Sequence, residues 1–269
     1  MNSKQILPTL LAVLWAGAAV SLPAQESEEE LAKKLSNPIS SLISLPLQLN
    51  YDRNFGADDE GDKWLLNVQP VIPFSISEKW NLISRTILPL VDQHDLFPGA
   101  GGQSGVGDIV QSLFFSPASP TESGITWGIG PVFLLPTGSD DLLTADNWGV
   151  GPTLVVLKQS GPRTLGALLN HIESVAGEDG RPDVSASFLQ PFVSRTTSTA
   201  WTYSANLEAT YNWEAGQWSV PMNIAVTKLM KWGGQRVQVG GGLRYWMVTP
   251  DNGPEGMGIR ILLTFLFPK

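Results

Sequence analysis

One stretch, Trp201–Trp213 (WTYSANLEATYNW), limits what this chain can become more than any other. Its odd positions are apolar or small: Trp201, Tyr203, Ala205, Leu207, Ala209, Tyr211 and Trp213. Its even positions are polar: Thr202, Ser204, Asn206, Glu208, Thr210 and Asn212. Strict period-two alternation makes a β-strand with one apolar and one polar face. A soluble sandwich strand would alternate in the same way. Aromatic residues at both ends of the apolar face, with small residues between, suit instead a strand crossing a bilayer, with its rings at the two headgroup levels. The stretch is long enough for the roughly 9–11 residues that a tilted transmembrane strand needs.

The alternation recurs. Leu45, Leu47, Leu49 and Tyr51 oppose Gln48, Asn50 and Asp52; Trp218, Val220, Met222, Ile224 and Val226 oppose Ser219, Asn223 and Thr227. About twelve such segments are expected, near 43–54, 63–77, 79–91, 107–117, 124–136, 148–159, 163–175, 184–195, 200–213, 218–230, 234–248 and 256–267. The third, fourth and seventh alternate poorly. An even count suits a closed bacterial barrel, so the fold predicted is all-β: a transmembrane antiparallel up-and-down β-barrel.

Composition removes the alternatives. Mean hydropathy is +0.02 over 269 residues, and the one long apolar run is N-terminal, so a bundle of spanning helices of about 20 apolar residues each is excluded. A net charge of −8 argues against nucleic acid. With no cysteine, disulfides, thiol chemistry and cysteine–metal sites are absent.

Met1–Ala24 has the basic start, apolar run and small-residue end of a secretory signal. Residues 25–42 are expected to hold a short helix, supported by Glu30 and Lys34 at i,i+4, with Asn37-Pro38 opening a further turn. A periplasmic plug and a loose leader both fit this segment. The barrel is expected over 43–267. With both ends periplasmic, the odd-numbered connections, which face outward, are long and acidic (Asp58–Asp62, Asp140, Asp141, Asp146, Glu178, Asp179). The even ones are short and mostly basic (Lys79, Arg195, Lys231, Arg236). That is the loop rule of outer-membrane barrels. The chain is therefore expected in the outer membrane of a Gram-negative-type bacterium, in contact with its lipids and lipopolysaccharide. The final strand alternates from Met257 to Phe267, as in the closing strands handled by the barrel assembly machinery, although Pro268 and Lys269 follow that Phe.

Several segments resemble a bacterial family labelled as meta-pathway phenol-degradation proteins, or simply as transporters: GVGDIVQSLFFSP (105–117), WGIGPVFLLPTGSD (127–140), WGVGPTLVVLKQSG (148–161), RPDVSASFLQPF (181–192), QWSVPMNIAV (217–226) and 241–269. The resemblance implies an outer-membrane barrel that passes small apolar or aromatic compounds. It brings no catalytic residues with it.

Motifs that suggest other chemistry are weak. GAGGQSGVGD (99–108) lacks the Gly-Lys-Ser/Thr end of a phosphate loop and leads into a strand, so a flexible outer loop is expected. Asp58–Asp62 lacks the twelve-residue spacing of a calcium loop. The two histidines, His94 and His171, are too few for a three-histidine zinc site. His171 and Ser174 point to opposite faces of a strand, so a serine beside His171 would have to come from a neighbouring strand. Neither a cofactor nor a metal is called for. The candidate lumen-lining set is Asp52, Asn67, Gln69, Arg85, Asn206, Glu208, Arg244, Trp246 and Arg260. Barrel closure suggests an ion pair between Asp52 and Arg260. The leading reading is a non-enzymatic channel or facilitator for a small solute. The alternatives are a closed docking barrel acting through its acidic outer loops and, third, an outer-membrane lipid hydrolase.

Overall fold

The computed structural model describes residues 26–267. The secretory signal expected over 1–24, Gln25, Pro268 and Lys269 lie outside the described residues. Twelve antiparallel strands close into a barrel. They are β1 (Ile43–Phe55), β2 (Gly61–Val68 continued by Val71–Ser75), β3 (Trp80–His94), β4 (Gly102–Val106 continued by Ile109–Pro117), β5 (Ile125–Leu135) and β6 (Asn147–Ser160). They continue with β7 (Arg163–Gly177), β8 (Ser185–Thr196), β9 (Trp201–Leu207 continued by Ala209–Asn212), β10 (Gln217–Trp232), β11 (Gln235–Val248) and β12 (Met257–Phe267). Each strand pairs with the next, and β12 returns to β1 in a register running from Ile43 opposite Phe267 to Tyr51 opposite Ile259. Closure leaves no sheet edge, as a bilayer requires.

The barrel wall is inverted relative to a soluble protein. Apolar side chains face out: Ile129 is 50% exposed, Ile224 47% and Ile259 51%. Exposed rings gather at both ends. Trp64, Trp148, Trp213 and Trp218 lie toward the odd-numbered connections, and Trp80, Trp201 and Trp232 toward the even-numbered turns. Polar side chains face in, with Asn50, Asn223, Arg244 and Arg260 all buried. No helix among the described residues is long and apolar enough to cross a membrane; the strands supply the apolar surface.

Three expectations are corrected. Residues 102–106 are strand, paired with β3 from Gly102 opposite His94 to Val106 opposite Leu90, so the glycine-rich loop is shorter than expected. Nor is its end free. The Asp108 carboxylate accepts hydrogen bonds from the backbone N–H groups of Thr137, Gly138 and Ala145 and from the Thr144 hydroxyl, at 2.7–3.0 Å. Second, loop length does not sort strictly by parity, since the even connection 118–124 is longer than the odd connection 213–216. Third, Glu30 does not pair with Lys34. Glu30 is taken by a capping box with Ser27 at the start of the helix α1 (Glu28–Leu35), and Lys34 pairs with Glu26 instead. A glutamate at N3 satisfies an otherwise orphaned N–H, a stronger demand than an exposed side-chain pair.

Helix α1 packs at the even-turn end. Leu31 and Ala32 are buried against Ala200, Leu229 and Leu266, and Gln159 donates to the Lys33 carbonyl at 2.8 Å. The chain then turns, with the Asn37 side chain accepting from the Ile39 N–H at 2.9 Å. This drives Ile39 among the inward residues Ile83, Phe114, Val155, Leu157 and Leu168. Gly128 makes the room: a Cβ there would lie 3.2 Å from both Ile39 and Phe114.

The outward face yields a direct test. Ile224 lies near the middle of β10, and an arginine at a lipid-facing midplane site costs about 2–4 kcal/mol in such barrels. Ile224→Arg should lower the denaturant midpoint of the protein folded in lipid vesicles by that amount. Gln238→Arg, on the inner wall, should leave the midpoint close to that of the parent.

Candidate functional site

Inward polar residues converge on one cluster in the half of the lumen nearer the odd-numbered connections. Five strands from the two ends of the chain build it, because closure sets β9–β12 beside β1. Glu208 is its hub. The ladder of β9 breaks at this residue, which lies opposite Pro221, a residue with no N–H to give. The Glu208 N–H instead donates to the Pro221 carbonyl at 3.0 Å. Its carboxylate bridges two guanidinium groups, with Arg244 Nη1 at 2.7 Å and Arg260 Nη1 and Nη2 each at 3.0 Å. Charge-assisted pairs of this kind are short and directional.

Each arginine is held a second time. Arg260 Nε donates to Asn50 Oδ1 at 2.8 Å. Arg244 Nε lies 3.1 Å from Asp52 Oδ1 as an ion pair, and its Nη1 reaches Asn223 Oδ1 at 3.3 Å. Asn223 donates onward to Asn206 Oδ1 at 2.8 Å. The expected pairing of Asp52 with Arg260 is therefore replaced by Asp52 with Arg244. Register explains the exchange: Arg260 stands opposite Asn50, whereas Arg244 stands opposite Gly258. Gly258 has no side chain, so Arg244 crosses β12 to reach β1. A Cβ at 258 would lie 2.7 Å from Asp52 Oδ1 and 2.5 Å from the Tyr51 carbonyl oxygen.

Trp246 belongs to the same cluster. Its indole N–H donates to Asp52 at 2.8 Å, and the Arg244 guanidinium lies 4.9 Å from its ring centroid. That ring face is occupied by an arginine of the protein, so Trp246 serves as a support and not as an open stacking platform. Arg85 makes no direct ion pair with Asp52 or Glu208 and donates to Gln69 Oε1 at 2.9 Å. Asn67, Gln69, Arg85, Glu208 and Arg244 line a cavity of about 310 Å³. A second cavity, of about 220 Å³, lies between Asn206 and the N-terminal segment at Leu35–Pro38.

Three further residues belong to the site although the list drawn from the sequence omits them. Asn50 and Asn223 lie on polar faces that alternation identifies, but their arginine partners depend on register across strands. Lys63 stands directly opposite Asp52, and only the pairing of β1 with β2 brings it there. Four cations (Lys63, Arg85, Arg244, Arg260) thus face two anions (Asp52, Glu208). Among the described residues, no group of three histidines or carboxylates is placed to hold a metal ion.

The apolar belt, the two rings of aromatic residues and the closed ladder decide the location. The chain is an outer-membrane β-barrel. The fold is shared with an outer membrane channel of the COG4313 group from Pseudomonas putida F1, at a TM-score of 0.64 and 12% identity, covering 84% of this chain and 96% of that one. Looser likenesses include the KdgM porin in complex with oligogalacturonate, at a TM-score of 0.45 and 12% identity over 84% of this chain and all of that one. Outer membrane phospholipase A from Escherichia coli gives 0.46 and 10% over 90% of this chain and 99% of that one. No protein-family model and no curated protein sequence matches the chain, so the phenol-degradation resemblance stands on its quoted segments alone.

The hub carries a clear prediction. Removing one partner of a buried ion pair leaves uncompensated charge and costs about 3–5 kcal/mol. Glu208→Ala leaves Arg260 with only the neutral Asn50 and Arg244 with Asp52 as its one carboxylate, so its unfolding free energy should fall by that range. Glu208→Ala combined with Arg244→Leu and Arg260→Leu should recover part of the loss, measured in the same denaturant titration.

Proposed function

We propose that the barrel is a channel for small solutes, closed at its even-turn end by residues 26–42 and biased toward uncharged or weakly anionic molecules. The observation carrying this reading is the 310 Å³ cavity beside Arg85, a cation whose hydrogen-bond partner is an amide, Gln69. A closed structural barrel would be served by a lumen filled with side chains; here the centre holds polar space lined by potential solute contacts. The cavity is lined by two cations, Arg85 and Arg244, against one anion, Glu208, an excess that disfavours small cations despite the net charge of −8. Aromatic anions suit the arginines, whose flat guanidinium groups bind carboxylates through two hydrogen bonds and stack on rings. The COG4313 channel fold is consistent with conduction, and the phenol-degradation resemblance favours an aromatic solute.

In this reading α1 and Ile39 form a plug. They bury few residues and are joined to the barrel through a short connection, so the plug can leave without breaking the ladder. The long acidic connections then face outward, and the plugged end faces the periplasm. Deleting residues 26–42 should raise single-channel conductance in planar bilayers several-fold over the parent. It should also speed liposome swelling in benzoate more than in a small cationic amine. Unchanged conductance after the deletion would remove the plug from the proposal. No conductance in either folded protein would favour the closed docking barrel.

A further inference from the structure

A second cluster lies on the opposite face of the wall, outside the lumen. Ser187 on β8 stands directly opposite His171 on β7, and both project outward. Ser187 Oγ is 2.9 Å from His171 Nδ1, and His171 Nε2 is 3.2 Å from Glu173 Oε2. The neighbouring strand thus supplies the serine that β7 alone cannot. The hydrogen bonds agree in one tautomer. Nε2–H donates to the carboxylate, which leaves Nδ1 as a bare acceptor for the serine hydroxyl. A nucleophile, a base and a group that orients the base are then in line. The indole N–H of Trp213 donates to the same Ser187 Oγ at 2.9 Å.

The surroundings identify a substrate class. His171, Ser187, Tyr211 and Trp218 form one lateral row across four strands, near the loop ends of β8 and β9. Rings of this kind sit at headgroup level, where lipid ester carbonyls also lie. From the row, an apolar groove of about 420 Å³ runs over Ile129, Leu154, Leu169, Leu189 and Trp218. This groove opens onto the lipid-facing wall, so an acyl chain can lie in it without leaving the bilayer. The His171 side chain is 38% exposed and that of Glu173 56%, so both are within reach of headgroup water.

We propose that Ser187 and His171 form a hydrolytic site for acyl esters of membrane lipids, with Glu173 as a positioning residue. Ser187 Oγ attacks the ester carbonyl and its proton passes to His171 Nδ1. The tetrahedral intermediate places its oxyanion beside the Trp213 N–H, a donor of the kind that stabilises developing charge. Collapse breaks the bond to the alcohol, which leaves with the proton from His171. Water, deprotonated by His171, then attacks the acyl-serine; the fatty acid departs and Ser187 recovers its proton. No oxidant, metal or cofactor enters the balance. The site is independent of the lumen and of the channel reading.

The test uses the full-length protein folded in detergent, with heat-modifiable gel migration as a folding control for every variant. The parent should be labelled by a fluorophosphonate probe at Ser187, and it should hydrolyse p-nitrophenyl palmitate and release fatty acid from phosphatidylethanolamine vesicles. Ser187→Ala should abolish labelling and hydrolysis. His171→Ala should slow hydrolysis by roughly 10²–10⁴-fold, the usual contribution of a positioned general base. Glu173→Gln should lower kcat with KM unchanged, and Glu173→Asp should restore part of it. Folded parent that is neither labelled nor hydrolytic would overturn the proposal, as would labelling retained in Ser187→Ala. Hydrolysis of p-nitrophenyl acetate alone, with no action on long-chain esters, would overturn the lipid assignment.

Discussion

A strand in a bilayer has no water to satisfy its backbone, so the pairing of β12 with β1 is the interaction on which the rest depends. An unsatisfied peptide group in hydrocarbon costs several kcal/mol, and an open barrel would expose a whole row of them. Closure does more than complete the ladder. It sets the register in which Arg260 faces Asn50 and Arg244 faces the bare backbone of Gly258. The ion network of Glu208, Arg244, Arg260 and Asp52 spans that seam. Side chains from β1, β9, β11 and β12 are therefore tied across the junction where the two ends of the sheet meet.

The same wall serves two solvents. Outward, it presents aliphatic side chains between two levels of tryptophan. Inward, it presents amides and charges, and near one end an apolar patch. That patch explains what the sequence left obscure. Alternation is poor in the third, fourth and seventh segments because their inward residues Ile83, Phe114 and Leu168 are apolar, packed around Ile39, while polar residues such as Ser84, Thr86, Gln111 and His171 stand on their outward faces. With apolar residues inside and polar ones outside, period two is blurred. The weak signal in those strands thus marks the place where the N-terminal segment docks.

Much of the fold was legible in the chain because a barrel repeats one simple rule, polar in and apolar out, strand after strand. The twelve segments fall within a few residues of the observed strands, except that β4 begins at Gly102, where Gly-rich sequence hides pairing with β3. The site was legible by face but not by partner. Alternation placed Asp52, Glu208, Arg244 and Arg260 on polar faces; which carboxylate meets which arginine depends on the register across the closing seam. Lys63 and the Asp108 loop anchor were missed for the same reason. Ser187 was missed because its neighbour His171 lies on another strand, although the need for such a neighbour could be stated.

Charge within the lumen is what joins the architecture to the proposed passage of solutes. Four inward cations against two inward anions along the wall should impose a preference that the acidic loops do not. The most direct measurement is the reversal potential in planar bilayers, across a potassium chloride gradient, for protein lacking residues 26–42. A potential of the sign given by chloride carrying most of the current is predicted, reduced when Arg85 is replaced by glutamine. Strong selectivity for potassium would contradict the account.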